Sequence, residues 1–198
     1  ESKLNLWRNT VPPHFQNTSI NMKIKKVLRS KIERDYFFIT GNLKTIDSKY
    51  FISKIDEGVK LSSNLNYKTN VMCQRTSFDF FCHDPHFVKI INELIHYLDT
   101  SRITIEHRYR LADAWGVKEG FGDYAKKHHH LPHYISGIIY FNNHPQKLYF
   151  PDIEEEIKPK DGDFVLFSSF LNHYTDRNTI DKYKYALSFN CEYLTVLD

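Results

Sequence analysis

The chain has 198 residues, a length that suits one domain with a substantial core. Hydrophobic residues make up 41% and charged residues 26%, the balance of an ordinary globular protein and not of a disordered or membrane-spanning one. A net charge of +3 without a long Lys/Arg block gives no electrostatic footprint for nucleic acid, and no apolar run approaches the ~18 residues of a membrane span. Thirteen Tyr and fifteen Phe against seven Gly point to a β-rich fold with large side chains in its core. Cys73, Cys82 and Cys191 are an odd set without metal-ligand spacing, so reduced thiols in a cytoplasmic protein are the expectation.

In chain order, Val11-Pro12-Pro13 forbids regular helix, and Asn17-Thr18-Ser19 is a glycosylation triplet of the kind that arises by chance. Met22 to Leu28 mixes lysines with aliphatic residues. Tyr36 to Thr40 reads as a short buried strand ending at Gly41-Asn42. Asp47 is a candidate N-cap for a helix carrying Tyr50, Phe51 and Ile55 on one side, with Gly58 near its end. Asn64 to Thr76 is loop-like. Asp84-Pro85 then places a capping carboxylate before a first-turn proline. Phe87, Ile90, Ile91, Leu94, Ile95 and Leu98 follow at helical spacing and form one apolar face. His83, His86 and His96 have no partner at ligand spacing and are expected to be surface or packing residues.

From Arg102 the pattern alternates with a period of two, and Trp115-Gly116 is expected to end that strand. Phe121-Gly122-Asp123 reads as a turn. Strands are then expected over 135–141, 148–150, 164–167, 172–175 and 183–193, separated by short turn-rich connectors. Short strands at this spacing indicate a sandwich or barrel and not a parallel α/β sheet.

The stretch from Tyr124 to Phe141 carries His128, His129, His130 and His133. Along an extended chain His128 and His130 share a face while His129 points away. With His173, which follows a later apolar run, they are expected to build a metal centre inside the barrel. On the last strand Lys184, Ala186, Ser188 and Asn190 share one face, and Tyr185, Leu187 and Phe189 share the other. The apolar face should pack on the helices and the small polar face should look into the barrel. A buried Lys184 needs an anion, and no acidic residue nearby in sequence presents itself, so a bound carboxylate would fill the role.

In this order the S-G-I-I-Y strand, L-Y-F-P-D, P-K-D-G-D-F-V-L-F, the distal histidine and K-Y-A-L-S-F-N resemble the iron(II)/2-oxoglutarate-dependent oxygenases, in the prolyl 4-hydroxylase-like branch. The resemblance covers roughly 115–193. It implies a mainly β fold with flanking α, a double-stranded β-helix (jelly-roll, cupin-like) barrel packed on N-terminal helices. It divides a single domain, 1–198, into an N-terminal support, 1–100, and a barrel core, 101–198. It also implies iron(II) as cofactor and 2-oxoglutarate as co-substrate, with hydroxylation of an amino acid, peptide or small metabolite and release of succinate and carbon dioxide.

Carried over by position, His128 is the first metal ligand, His130 stands at the acidic position and His173 is the distal ligand. Lys184 and Tyr140 correspond to the pair that holds the far carboxylate of 2-oxoglutarate, and Ser188 and Asn190 are candidates to orient ligands or co-substrate. His130 in place of a carboxylate is one departure, although imidazole suits ferrous iron. Lysine in place of the commoner arginine is the other and gives a point charge instead of a fork. Asp152 is the alternative third ligand. His129 and His133 are expected outside the metal's contacts, with His133 able to border the substrate. Trp115 is expected to pack at the barrel mouth. Arg108 and Arg110 share a strand face that would bind a substrate anion if it pointed inward. Partners beyond the substrate are not expected to include nucleic acid or membrane, and a homodimer is left open. Two other readings of the residues stand beside this one: a cupin-like three-His iron dioxygenase without 2-oxoglutarate, and a non-catalytic barrel that binds metal or a partner.

Overall fold

The computed structural model describes residues 22–31, 35–62, 70–101 and 108–194. The Val11-Pro12-Pro13 segment, the Asn17-Thr18-Ser19 triplet, residues 64–69 of the expected 64–76 loop and the alternating residues 102–107 lie outside them.

Two faces of one sheet explain most of the sequence pattern. The strands β1 (Met22–Lys31), β2 (Asp35–Leu43), β4 (Gln74–Arg75), β5 (Arg108–Glu119), β7 (Ile135–Tyr140), β10 (Asp163–Ser168) and β12 (Lys184–Leu194) form a seven-stranded antiparallel sheet. Its order is β1-β2-β10-β7-β12-β5-β4. On one face, Phe37 and Ile39 of β2, Phe164 and Leu166 of β10, and Leu187 and Phe189 of β12 join the core made with the helices. On the other, Tyr36, Phe38, Val165 and Phe167 meet Leu148 and Phe150 of the second sheet. Strands buried on both faces read as continuous apolar runs, which is why Tyr36–Thr40 and Phe164–Phe167 show no alternation.

The helices α1 (Ser48–Leu61) and α2 (Pro85–Thr100) lie on the outer face of the sheet. Asp47 caps α1 by accepting from Tyr50 N at 3.0 Å, and Asp84 caps α2 by accepting from Phe87 N at 2.9 Å. Each cap satisfies an N–H group that would otherwise lack a partner in the first turn. Phe51 and Ile55 of α1, with Phe87, Ile90, Ile91, Leu94 and Leu98 of α2, are buried against the sheet. His86 stacks on Tyr50 at 4.1 Å between ring centres, a packing role.

The opposite wall of the barrel is made of shorter pieces. β8 (Leu148–Phe150) pairs with β9 (Glu155–Ile157) and with β11 (Tyr174–Thr175), and β3 (Val71–Met72) pairs with β6 (Tyr124–Ala125). A single antiparallel bridge, His128 to His173, links the two groups through His128 N to His173 O at 3.1 Å and His173 N to His128 O at 2.9 Å.

Three features differ from the sequence reading. Met22–Lys31 is a strand, paired along its length with β2, and the sheet draws β1, β2 and β4 from the first hundred residues. β5 does not stop at Trp115-Gly116 but runs on to Glu119. Gly116 is there for close approach: a Cβ on it would sit 2.5 Å from Cγ1 of Ile55, so a bare backbone lets α1 press onto the strand.

Candidate metal centre

The three histidines reach one point because two short segments run antiparallel across the minor wall. The His128–His173 bridge brings two of the rings together, with ring centres 4.4 Å apart. His130 N donates to Ser169 O at 2.8 Å, which ties the third ring to the turn after β10. The ligand atoms of His128, His130 and His173 all lie within 4.8 Å of one another.

Each ring is held by its other nitrogen. His128 Nδ1 donates to Lys126 O at 2.6 Å and His173 Nδ1 donates to Leu171 O at 3.2 Å. His130 Nδ1 meets Asn190 Oδ1 at 2.8 Å. The Asn190 amide has one orientation available. Its Nδ2 donates to Asp113 Oδ1 at 2.7 Å, so Oδ1 must face His130 and also takes the Ser136 hydroxyl at 2.7 Å. The three Nδ1 atoms therefore carry the protons and the three Nε2 lone pairs are left bare. His130 Nε2 and His128 Nε2 stand 3.3 Å apart. Two imidazole nitrogens at that separation could both reach one first-row cation, which bonds imidazole at about 2.1 Å. The donor set fits a metal.

Burial makes the same point electrostatically. It holds His128 below its ordinary pKa and pushes His130 down to about 4, with the neighbouring histidines adding to the effect. His173 is driven well below its usual value, again chiefly by burial. Trp115 stacks on His130, while Phe150 and Phe167 flank His173. All three imidazoles are neutral at neutral pH, as ligation requires.

The metal pocket continues to Lys184. Trp115, Val117 and Glu119 of β5, Tyr140 of β7 and Lys184, Ala186 and Ser188 of β12 line one cavity with the three histidines. The inward face expected for Lys184, Ala186 and Ser188 is the face observed. The anion expected for Lys184 is not an outside molecule, however. Lys184 lies directly opposite Glu119 in the β12–β5 register, and its ammonium is bonded to that carboxylate with both side chains almost fully buried. Tyr140 is buried beside them, and its phenol is raised far above its ordinary pKa by burial and then by the Glu119 charge.

Other sequence candidates fall elsewhere. Asn190 is not among the residues that line the cavity; its amide is committed to His130, Ser136 and Asp113, which is the ligand-orienting part of the role expected for it. Asp152 accepts from Asn172 N and Nδ2 at 2.7 and 3.0 Å, which braces the residue before His173, and it is not among the converging ligands. His129 is exposed. His133 faces Asp113 and Glu192 at 3.5 and 3.7 Å. Arg110 is exposed and pairs with Glu192, and the side chain of Arg108 is outside the described ones.

Sequence reasoning missed Glu119, Asp113 and Ser136. A strand carried past Gly116 puts Glu119 on the face of Trp115 and Val117, and that period-two step was the signal available.

No protein-family model and no curated protein sequence matches the chain. Solved structures do. The viral collagen prolyl hydroxylase vCPH from Paramecium Bursaria Chlorella virus-1 superposes with a TM-score of 0.60 at 16% identity, over 79% of this chain and 94% of that one. The non-heme alpha ketoglutarate dependent carbocyclase SnoK of nogalamycin biosynthesis gives 0.61 at 11% identity, over 78% of each chain. A Pseudomonas putida prolyl-4-hydroxylase gives 0.54 at 12% identity, over 78% of this chain and 92% of that one. The chain thus has the jelly-roll fold found in 2-oxoglutarate-iron(II) oxygenases, as its residue pattern led us to expect.

Proposed function

We propose that the chain is an iron(II)- and 2-oxoglutarate-dependent dioxygenase that hydroxylates an amino acid, peptide or small metabolite, with succinate and carbon dioxide as co-products. The observation that carries this reading is the convergence of three bare Nε2 atoms in a barrel cavity that also holds a buried lysine.

In this reading His128, His130 and His173 hold iron(II), which supplies the activation of dioxygen. The chain's own part is placement and exclusion of water. Asn190 and the Lys126 and Leu171 carbonyls keep the three rings in the ligating tautomer. Trp115, Phe150 and Phe167 keep the surroundings apolar. Lys184 and Tyr140 are the groups that would receive the far carboxylate of the 2-oxo acid. Three unpaired cysteines and a net charge of +3 support a cytoplasmic enzyme without nucleic-acid or membrane partners. Among the described residues no helix is long and apolar enough to cross a membrane.

The test is anaerobic reconstitution with iron(II), addition of 2-oxoglutarate, and a search for the metal-to-ligand charge-transfer band, followed by succinate measurement in air. The absence of both the band and succinate overturns the proposal. One observation favours a second reading, a three-His iron dioxygenase without 2-oxoglutarate: Glu119 already gives Lys184 a partner. That reading expects iron binding and oxygen consumption without any effect of 2-oxoglutarate.

A further inference from the structure

Lys184 is the one lysine or arginine that lines the metal cavity among the described residues, and Glu119 already holds it. The two side chains are 3% and 4% exposed, on directly opposed positions of β12 and β5. Opposite charges facing across an antiparallel pair attract, and burial strengthens the attraction. The pair lines the same cavity as the three histidines, so any group that reaches Lys184 from the metal side meets Glu119 there. A neutral ammonium–carboxylate pair therefore stands where the far carboxylate of 2-oxoglutarate would have to enter. Two carboxylates brought onto one buried ammonium repel each other, so an incoming carboxylate competes with Glu119 for Lys184.

We propose that Glu119 is an internal counter-carboxylate that determines which 2-oxo acid the site accepts. A dicarboxylic 2-oxo acid binds only by displacing Glu119 from Lys184. A monocarboxylic one uses the metal face and leaves the pair intact. The inference rests on the reading of the site as a 2-oxo-acid-dependent metal centre and adds to it a residue of this chain that tunes its selectivity.

The experiment is calorimetric titration of the iron(II)-loaded chain under argon with 2-oxoglutarate and with 2-oxobutyrate, for the native protein and for Glu119→Gln. The native protein should bind the two acids within about tenfold of one another. Glu119→Gln should bind 2-oxoglutarate about tenfold or more tighter than the native protein, and 2-oxobutyrate within about twofold of it. The same ligand should raise the melting temperature of Glu119→Gln more than that of the native protein, because it replaces the lost partner of Lys184. An unchanged or weakened affinity of Glu119→Gln for 2-oxoglutarate overturns the inference. If that variant does not fold, the native protein decides alone: a preference for 2-oxoglutarate beyond about tenfold overturns it. Binding of both acids with discrimination untouched by the substitution removes only the role of Glu119. Binding of neither acid to either protein removes the 2-oxo-acid reading itself.

Discussion

Asn190 Oδ1 lies 2.8 Å from His130 Nδ1, and the same amide's Nδ2 lies 2.7 Å from Asp113 Oδ1. A carboxylate accepts and never donates, so Asp113 fixes the amide, the amide fixes the imidazole tautomer, and the tautomer exposes Nε2. Asn190→Ala should weaken metal binding about 10- to 100-fold, the usual effect of losing such a partner. Chelator competition measures it, with circular dichroism to show that the fold persists. Native affinity in Asn190→Ala would mean that His130 is not a ligand or is oriented by something else.

The metal count separates the histidines. His128→Ala, His130→Ala and His173→Ala should each abolish stoichiometric iron retention, while the exposed His129 should tolerate alanine without loss. Elemental analysis after reconstitution and desalting reads the result. Full occupancy in His173→Ala would break the proposed triad.

The buried ion pair makes a stability prediction of its own. Lys184→Ala strands the Glu119 carboxylate in a site where both side chains are almost fully buried, and this should cost about 3–5 kcal/mol. The paired change Lys184→Met with Glu119→Leu should recover most of that loss, because it removes both charges. Urea unfolding of the three proteins is the check, and equal stability of single and double variants would place the pair in contact with water. If the single variant retains its fold, its requirement for 2-oxoglutarate should rise sharply while iron binding is spared.

Acid should destabilise the metal-free chain in a defined window. Burial holds His130 at a pKa of about 4 and lowers His173 and the buried His144, whose Nδ1 accepts from Gln146 N and so has no place for a proton. In the unfolded chain these rings take up protons near ~6.5. Their contribution is therefore complete above that pH and declines as pH falls from there towards the folded-state values. Each contributes at most about 1.4 kcal/mol per pH unit over the window. Urea unfolding between about pH 7.5 and about pH 4.5 should show the decline, and His144→Gln should shallow it by one proton. A flat profile would contradict the neutral buried state.

Gly137 tests the sheet behind the site. A Cβ there would stand 2.2 Å from Cζ of Phe189, which is itself fully buried and packs on Phe87. Gly137→Ala should cost about 1–3 kcal/mol through overpacking, read by thermal or urea unfolding. Phe189→Leu in the same chain should recover part of it, and simple additivity would mean that the two positions do not press on one another.

Much of this arrangement was legible along the chain because it depends on short-range rules. The caps at Asp47 and Asp84 follow from a carboxylate one residue before an amphipathic run. The inward face of β12 follows from a period of two, and the outward packing of Leu187 and Phe189 from the same alternation. The H-x-H pair and a distal histidine were visible as residue types suited to one metal. The strand at Met22–Lys31 was not visible, because its lysines hide the pattern.

What the sequence by itself determined was the two capped helices, the longer strands of the barrel apart from β1, the polarity of their faces and the candidates His128, His130, His173 and Lys184. What only the tertiary structure decided was who meets whom across strands. Glu119 faces Lys184 because β5 continues past Gly116 and pairs with β12 in one register, and a one-residue slip would turn the carboxylate to the other face. Asn190 serves His130 because Asp113 on the neighbouring strand takes its amide nitrogen. Periodicity is a property of neighbours along the chain, whereas a charge partner or a tautomer is set by atoms many residues away, and only the assembled sheet brings those within a few ångströms.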